Sequence, residues 1–208
     1  MKISVNVGKQ NKIHILCDGE YKFTVDAEYW FSSPYHGTEI INDEEQAAFF
    51  DAVGSRCAFI AGLRLLSYRD HSEKELVLKL VQKGHNKDYA QNAVQKLKEY
   101  KYIDDERVAE IYARDLFERK GMSVNSIVSE LCRKGIPREI ALNAAEKLDN
   151  EPILRIIDLI KKKYYRYLSD EKGVRKTVAA LQRLGYRWSD INAALRQYEI
   201  ETEDFSDV

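Results

Sequence analysis

The apolar residues of this chain follow one pattern three times, in segments 74–97, 125–148 and 175–198. In each segment a leucine stands four positions before a glycine and a valine seven positions before it, which is the spacing of one face of an α-helix. A second apolar stripe begins after each glycine, again at helical spacing. The three glycines are 51 and 50 residues apart, and they are Gly84, Gly135 and Gly185. The pattern predicts three copies of a helix, a glycine turn and a second helix.

Glycine suits the position just past the end of a helix, where the backbone is often left-handed. That conformation costs an ordinary L-residue about 1 kcal/mol and costs glycine little. Pro137 suits the first turn of the helix after Gly135, because its missing N–H would have no intrahelical partner there. We therefore expect each of the three glycines to end a helix. Replacement of Gly135 by valine should destabilise the fold by about 1–2 kcal/mol.

The first part of the chain has a different period. Residues 1–31 alternate between apolar and polar side chains, which indicates strands with one buried face. The Asp-Gly pair at 18–19 lies between two such runs and is a strong signal for a two-residue hairpin. We expect a small antiparallel sheet in this segment.

Helical spacing begins after Asn42, which has Glu45 three residues later as a partner for a helix cap. It continues to about Tyr68, with a candidate break at Gly54. Each unit of about 50 residues has room for three helices, and units this small gain by packing on their neighbours. We predict a mainly α fold of three tandem three-helix modules in an elongated array, preceded by a small N-terminal antiparallel β segment. The predicted parts are a strand-rich extension 1–41, a connecting helix 42–57, three-helix modules 58–104, 105–150 and 151–200, and an acidic tail 201–208.

The composition is that of a folded protein, with 44% apolar residues among 208. No apolar run approaches the roughly 18 residues that span a bilayer, and the first residues lack a signal-peptide core, so we expect a cytoplasmic protein. The three cysteines form neither a close pair nor a metal-ligand spacing with the histidines, which favours buried structural thiols. We expect no catalytic residues, no metal and no cofactor, because no phosphate loop, nucleophile motif or metal-binding constellation is present.

A formal net charge of -1 conceals an uneven distribution. Residues 1–57 carry 5 basic and 9 acidic side chains, whereas residues 151–190 carry 10 basic and 5 acidic ones. The last 18 residues are acidic again, and we expect a mobile tail there. The basic excess of 151–190 predicts weak, sequence-tolerant DNA binding that falls steeply with salt.

Two polar motifs have both a structural and a functional interpretation. Ser72 and Glu75 have the spacing of a capping box, whereas the preceding Tyr68 and Arg69 could form a contact site for a partner. The paired carboxylates at 104–105 could hold a metal or act as acid and base. They directly precede an apolar-periodic segment, however, where acidic residues cap a helix, and we favour capping.

A third motif mixes aromatic and cationic side chains. Interleaved tyrosines and lysines bind nucleic acids by neutralising phosphates and stacking on bases. The alternative is a single helix with a buried tyrosine edge and a solvated basic face, and both interpretations stay open here. The residues concerned are Lys161, Lys162, Lys163, Tyr164, Tyr165, Arg166 and Tyr167.

Taken together, these motifs resemble the RecX regulatory proteins, which are bacterial modulators of the RecA recombinase. The resemblance covers most of the chain and rests on Leu66-Ser-Tyr-Arg69, Ser72-Glu-Lys-Glu-Leu76, Leu80, Lys83-Gly84, Leu97, Tyr102-Ile-Asp-Asp105, Ala109, Tyr112, Arg114 and Lys134-Gly135-Ile136. The start, with Asp18-Gly-Glu-Tyr21 and Phe23, is similar to the N-terminal extension of members from low-GC Gram-positive bacteria. Lys101 departs from the family, which commonly has glycine there, and the third unit keeps only Leu181, Gly185 and the later apolar positions.

The resemblance implies three tandem three-helix modules, no catalytic chemistry, and binding within the helical groove of the recombinase filament on DNA. We expect a monomer that modulates the filament by inhibiting its ATPase and recombination activity. It should contact single- or double-stranded DNA weakly and in a salt-dependent way, and should not contact membranes. The expected contact residues are Tyr68, Arg69, Arg114, Lys161, Lys162, Lys163, Arg166, Arg175 and Lys176. Two alternatives remain: a helical protein that binds DNA or RNA directly, and an enzyme whose site does not stand out in the sequence.

Overall fold

Strands occupy the start of the chain, and helices follow. The computed structural model describes residues 1–148 and 151–204, with side chains up to residue 198. Within these ranges there are three strands and ten α-helices. The chain divides into two compact units between Asp104 and Asp105. The predicted mainly α fold, with three three-helix modules behind a small antiparallel sheet, is confirmed.

The sheet has three antiparallel strands in the order of the sequence, β1 (Ile3–Val7), β2 (Lys12–Cys17) and β3 (Glu20–Asp26). Its central strand β2 buries every second side chain. The turn between β2 and β3 consists of Asp18 and Gly19, at φ 51° and 84°. Two successive positive φ angles are the requirement of the tight hairpin turn that the Asp-Gly pair predicts.

The strand pattern ends earlier than the sequence analysis predicts. Residues from Ala27 on form a short helix, α1 (Ala27–Ser32), instead of continuing the alternation to residue 31. The carboxylate of Asp26 accepts a hydrogen bond from the Tyr29 N–H at 2.9 Å and so caps this helix. Ala27 and Trp30, three residues apart, are its buried side chains. The helix therefore uses apolar residues that also fit a strand.

A single long helix, α2 (Asp43–Tyr68), connects the sheet to the first module. It begins as predicted, with the Asn42 side chain accepting the Glu45 N–H at 2.8 Å. Gly54 does not break it, so the connecting helix 42–57 and the first helix of the module are one element. A Cβ at Gly54 would lie 2.4 Å from the Tyr89 ring, so this glycine allows close packing between helices. The buried apolar side chains of α2 are Phe49 and Val53 on the sheet side and Ala58 and Phe59 on the module side.

The remaining helices pair across the three predicted glycine turns. Their bounds are α3 (Glu73–Gln82), α4 (Lys87–Glu99), α5 (Asp105–Asp115), α6 (Val124–Arg133), α7 (Arg138–Glu146), α8 (Pro152–Leu159), α9 (Glu171–Arg183) and α10 (Trp188–Asp204). Gly84, Gly135 and Gly185 have φ angles of 91°, 91° and 90°. In each turn, the residue after the glycine donates its N–H to the carbonyl of the repeated leucine at 3.1–3.2 Å, which completes a Schellman motif. The prediction that these glycines end helices is confirmed, and Pro137 directly precedes α7.

Irregular helical turns follow the first α-helices of modules 2 and 3. After α5 the chain makes a π-helical turn at Leu116–Lys120, and Gly121 at φ 73° ends it. After α8 a π-helical turn at Ile160–Tyr164 leads into a 3₁₀ turn at Tyr165–Tyr167. Helix α10 continues to Asp204, so the predicted acidic tail is helical in residues 201–204, and residues 205–208 lie outside the described part of the chain.

Within the second unit, module 3 packs on module 2 through two sets of contacts. Arg155 of α8 donates to the Phe117 carbonyl at 2.6 Å, and its guanidinium lies 4.3 Å from the centroid of the Phe117 ring. Ser123 caps α6, and its hydroxyl also donates to the carbonyl of Gly185 at 2.9 Å. A Cβ at Gly185 would lie 1.7 Å from the Ser126 hydroxyl oxygen. The glycine turn of module 3 is therefore seated on the start of the second helix of module 2.

Candidate binding surface

The first candidate contact residues lie at the corner between α2 and α3. Tyr68 ends α2 and is 86% exposed, and Arg69 follows it in an extended conformation. The Arg69 guanidinium pairs with Glu75 at 2.6 Å. The predicted cap is present, because the Ser72 hydroxyl accepts the Glu75 N–H at 3.2 Å. Glu75 thus takes part in the cap of α3 through its N–H and orients Arg69 through its carboxylate. Arg69 keeps half of its side-chain surface exposed.

His71 is the buried member of this corner. Its side chain is 3% exposed, and its Nδ1 lies 3.2 Å from a carboxylate oxygen of Glu75. Burial lowers the pKa of His71 below its ordinary value, and the carboxylate of Glu75 opposes this effect only in part. The imidazole is therefore mainly neutral at pH 7, and the charge presented at this corner comes from Arg69.

The second set of candidates lies just after α8. Lys161, Lys162 and Lys163 occupy the π-helical turn and are exposed. Lys162 pairs with Asp158 at 2.9 Å, and Lys163 donates to the carbonyl of Arg119 at 3.3 Å. Both contacts are made by the ammonium groups, and the side chains of Lys162 and Lys163 stay largely exposed.

The tyrosines among these lysines do not share one environment. Tyr164 packs partly buried against the core of module 3, whereas Tyr165 and Tyr167 are 48% and 56% exposed. Arg166 donates to the hydroxyl of Tyr165 at 2.7 Å, with its guanidinium 5.4 Å from the centroid of that ring. The picture of one helix with a buried tyrosine edge is therefore wrong for this segment. Only Tyr164 follows it, because the π-helical and 3₁₀ turns change the direction of the side chains that follow.

A close backbone contact brings the start of α9 against this segment. A Cβ at Gly173 would lie 1.8 Å from the carbonyl oxygen of Tyr167, so only glycine allows this approach. Arg175 and Lys176, on the next turn of α9, are exposed, and Arg175 pairs with Glu171 at 2.5 Å. The contact brings the start of α9 against the 3₁₀ turn that contains Arg166. We define the basic surface of module 3 by six of its exposed cations, Lys161, Lys162, Lys163, Arg166, Arg175 and Lys176.

The remaining candidate, Arg114, lies exposed near the end of α5 in the same unit. Tyr68 and Arg69 belong to the first unit. Sequence reasoning missed Gly173 and Arg155, which position the basic surface and its module. A glycine in the first turn of a helix, just after the capping Asp170, is the signal that points to Gly173.

The cysteines have the character of core residues. Burial raises the pKa of Cys57 to about 11, and its thiol donates to the Thr24 carbonyl at 3.3 Å. Burial also raises the pKa of Cys17. Thiols of this kind are poor nucleophiles near neutral pH, because the thiolate is the reactive form.

In the described ranges, no group of three His, Cys, Asp or Glu side chains is placed to hold a metal. The carboxylates at 104–105 stand where α5 begins, with Asp105 in its first turn, as capping requires. None of the described helices is long and apolar enough to cross a bilayer. The fold and the exposed cations and tyrosines define a class of protein, namely a tandem array of three-helix modules with exposed basic and aromatic side chains.

Comparison with known proteins assigns this class to a family. Residues 58–97 match the family model described as RecX, first three-helix domain, and residues 104–144 match RecX, second three-helix domain. Regulatory protein RecX of Caldanaerobacter subterraneus subsp. tengcongensis is 30% identical over 190 residues, which cover 90% of this chain and 93% of that protein. Regulatory protein RecX of Clostridium perfringens (strain SM101 / Type A) is 29% identical over 205 residues, covering 93% and 94% of the two chains.

A solved structure described as the crystal structure of regulatory protein RecX superposes with a TM-score of 0.65 at 22% identity, over 92% of this chain and 97% of that one. This likeness supports the fold. The chain belongs to the RecX family of regulatory proteins.

Proposed function

We propose that the protein binds RecA recombinase filaments on DNA and lowers their ATP turnover and recombination activity. Membership of a family of regulatory proteins carries this proposal. The exposed cations of module 3 support it, because a filament on DNA offers a high density of phosphate charge next to its protein surface. In this proposal the protein acts as a cytoplasmic monomer without a cofactor or catalytic chemistry.

The proposed contacts are spread over more than one module. Tyr68 and Arg69 lie at the end of α2, Arg114 lies on the first helix of module 2, and the basic surface belongs to module 3. We take the modules as 58–104, 105–150 and 151–200, after the extension 1–41 and the segment 42–57. Several modest contacts on one chain reinforce one another, because binding of one raises the effective concentration of the next.

The test is a titration of the full-length protein against RecA filaments assembled on single-stranded DNA, with bare DNA of the same sequence alongside at matched salt. We expect tighter binding to the filament than to either component alone, together with a fall in ATP hydrolysis. Equal affinity for filament and bare DNA would contradict the proposal.

One observation favours a second function, direct binding of DNA or RNA. Tyr165 and Tyr167 are exposed near the lysines that follow α8. Proteins bind single-stranded nucleic acid through this combination of cations and aromatic rings. On this alternative, RecA adds nothing to the affinity for nucleic acid. The same titration separates the two functions.

A further inference from the structure

A groove of about 990 Å³ lies in the first unit, and none of the proposed contact residues lines it. One wall consists of β2, β3 and the turn before β2, and the other consists of α2 and the glycine turn at Gly84. Its volume is that of a site that holds a small organic ligand or a few residues of a polymer. The N-terminal sheet, which has no part in the three-helix modules, forms half of it.

The charged side chains that line this groove are mainly basic. Three of the 5 basic side chains in residues 1–57 line it, but only one of the 9 acidic ones does, Asp26. That carboxylate is already engaged by Arg56 at 2.9 Å. Arg64 and Lys83, from beyond residue 57, line the groove as well. Neither they nor Lys12 form an ion pair with a described residue. The groove is therefore locally cationic within an acidic part of the chain.

Aromatic rings accompany these cations. Tyr21 is 61% exposed, and Phe23 and Tyr89 also line the groove. The Tyr89 ring lies so close to α2 that a Cβ at Gly54 would be 2.4 Å from it, so its position is fixed by packing. The hydroxyl of Tyr21 is 3.0 Å from the Thr24 hydroxyl, which holds that ring at the rim. Contacts within the protein thus hold Tyr89 and Tyr21 in position, which lowers the cost of ordering them on binding.

From the joint presence of unpaired cations and fixed aromatic rings, we infer that this groove binds a short stretch of single-stranded nucleic acid. Cations that meet phosphates and rings that meet base faces are the two elements of sequence-tolerant single-strand binding. An acidic peptide would use only the cations. A duplex keeps its base faces stacked and would leave the rings without partners. The inference is independent of filament binding. It assigns to the N-terminal sheet a part in binding single-stranded nucleic acid.

The test uses full-length protein in which Lys161, Lys162 and Lys163 are changed to glutamine, so that the basic surface of module 3 loses three of its six cations. In this background, Arg64→Glu with Lys83→Glu alters two exposed groove residues and should leave the fold intact. The matched control is Lys74→Glu with Lys96→Glu, which changes the charge of the same unit equally at exposed positions outside the groove. Binding of a fluorescein-labelled oligothymidylate is followed by anisotropy over a range of salt, and circular dichroism checks folding.

We expect the groove pair to weaken binding about tenfold or more and to reduce the slope of log affinity against log salt by about 1.4, from two phosphate contacts. The control pair should leave the slope unchanged. Tyr21→Ala should weaken binding about fivefold or more while the slope stays the same, because stacking is not ionic. Equal behaviour of groove and control pairs would overturn the inference. Competition by polyglutamate at the same charge concentration as effectively as by unlabelled oligothymidylate would overturn the assignment to nucleic acid. Filament binding can stand or fall separately, since neither result involves RecA.

Discussion

The two units of the molecule support small three-helix modules in different ways. In the first unit, α2 runs from the sheet core into the core of module 1, so sheet and module share one helix. In the second unit there is no sheet among the described residues, and modules 2 and 3 pack on each other through Arg155, Ser123 and Gly185. A module of about 50 residues buries too little apolar surface to be stable alone. The repeated helix–glycine–helix pattern therefore specifies each module. Residues outside the pattern specify the part of the chain on which that module packs.

The largest expected effect concerns the shared helix of the first unit. Phe49 of α2 is fully buried in the core that this helix forms with the sheet, and Phe49→Ala should lower the free energy of unfolding of this unit by about 3–5 kcal/mol through the cavity it leaves. Phe31→Ala, at a ring that is 59% exposed, is the control and should cost about 1 kcal/mol or less. Urea unfolding is followed by tryptophan fluorescence in a Trp188→Phe background. The signal then reports this unit alone, because Trp30 is the only remaining tryptophan. Equal effects of the two substitutions would refute the shared core.

The next prediction compares two turns with the same backbone. Gly185→Ala should destabilise the second unit by about 2–4 kcal/mol, because a Cβ adds a clash with Ser126 to the strain of a positive φ. Gly84→Ala meets no atom within 4 Å and should cost about 1 kcal/mol from strain alone. Urea unfolding followed by circular dichroism measures both. A cost at Gly185 no greater than at Gly84 would mean that the turn of module 3 is not seated on module 2.

A smaller effect is expected at the other contact between modules 2 and 3. Arg155→Met keeps much of the apolar stem but removes the hydrogen bond to the Phe117 carbonyl and the contact with its ring, and should cost about 2 kcal/mol. Arg133→Met, at an exposed arginine paired within its own helix, should cost less than about 0.5 kcal/mol. Thermal unfolding of both variants beside the native protein provides the measurement. If the two variants melt together, Arg155 does not fasten the modules.

The smallest effect is a pH dependence of the first unit. Because the folded-state pKa of His71 lies below its ordinary value of 6.5, the unfolded state binds more protons when the solution is acidified through that value. The stability contributed by the neutral, buried imidazole should therefore be complete above about pH 7.5 and should decline as the pH falls through 6.5. His85, whose pKa burial also lowers, contributes with the same sign. His71→Gln should flatten the decline and His36→Gln, at an exposed ring, should not. Parallel pH profiles for the two variants would exclude His71 as the source.

Local signals in the sequence predict much of this structure. The three glycines, the Asp-Gly hairpin and the caps at Asn42 and Ser72 are all where the pattern places them, because each depends on residues within a few positions of one another. The apolar residues of segment 27–32 fit a strand pattern and a helix pattern equally well. Only the packing of this segment selects the helix. The approach of Gly173 to Tyr167 follows from turns whose irregular helical geometry has no simple periodic signal.

Contacts between distant parts of the chain are less accessible from sequence. Ser123 has the pattern of an ordinary cap, and nothing near it indicates that its hydroxyl also donates to Gly185. For the candidate site, the basic residues could be named from the sequence, while the exposure of Tyr165 and Tyr167 required the structure. These contacts also argue against deleting module 3 as a functional test, since deletion would uncover Phe117 and the seat of Gly185 on module 2. Point substitutions on the surface are the appropriate variants.

The most direct test of the account is a comparison of two triple variants on RecA filaments. Lys161, Lys162 and Lys163 are changed to glutamine in one, and the exposed Lys74, Lys87 and Lys96 are changed to glutamine in the other. Filament binding and ATP hydrolysis are titrated together over a range of salt. The account predicts that the first variant loses inhibition and that its slope of log affinity against log salt falls by about 2–3 if all three lysines meet phosphates, while the second behaves as the native protein. Identical titrations for the two variants would contradict it.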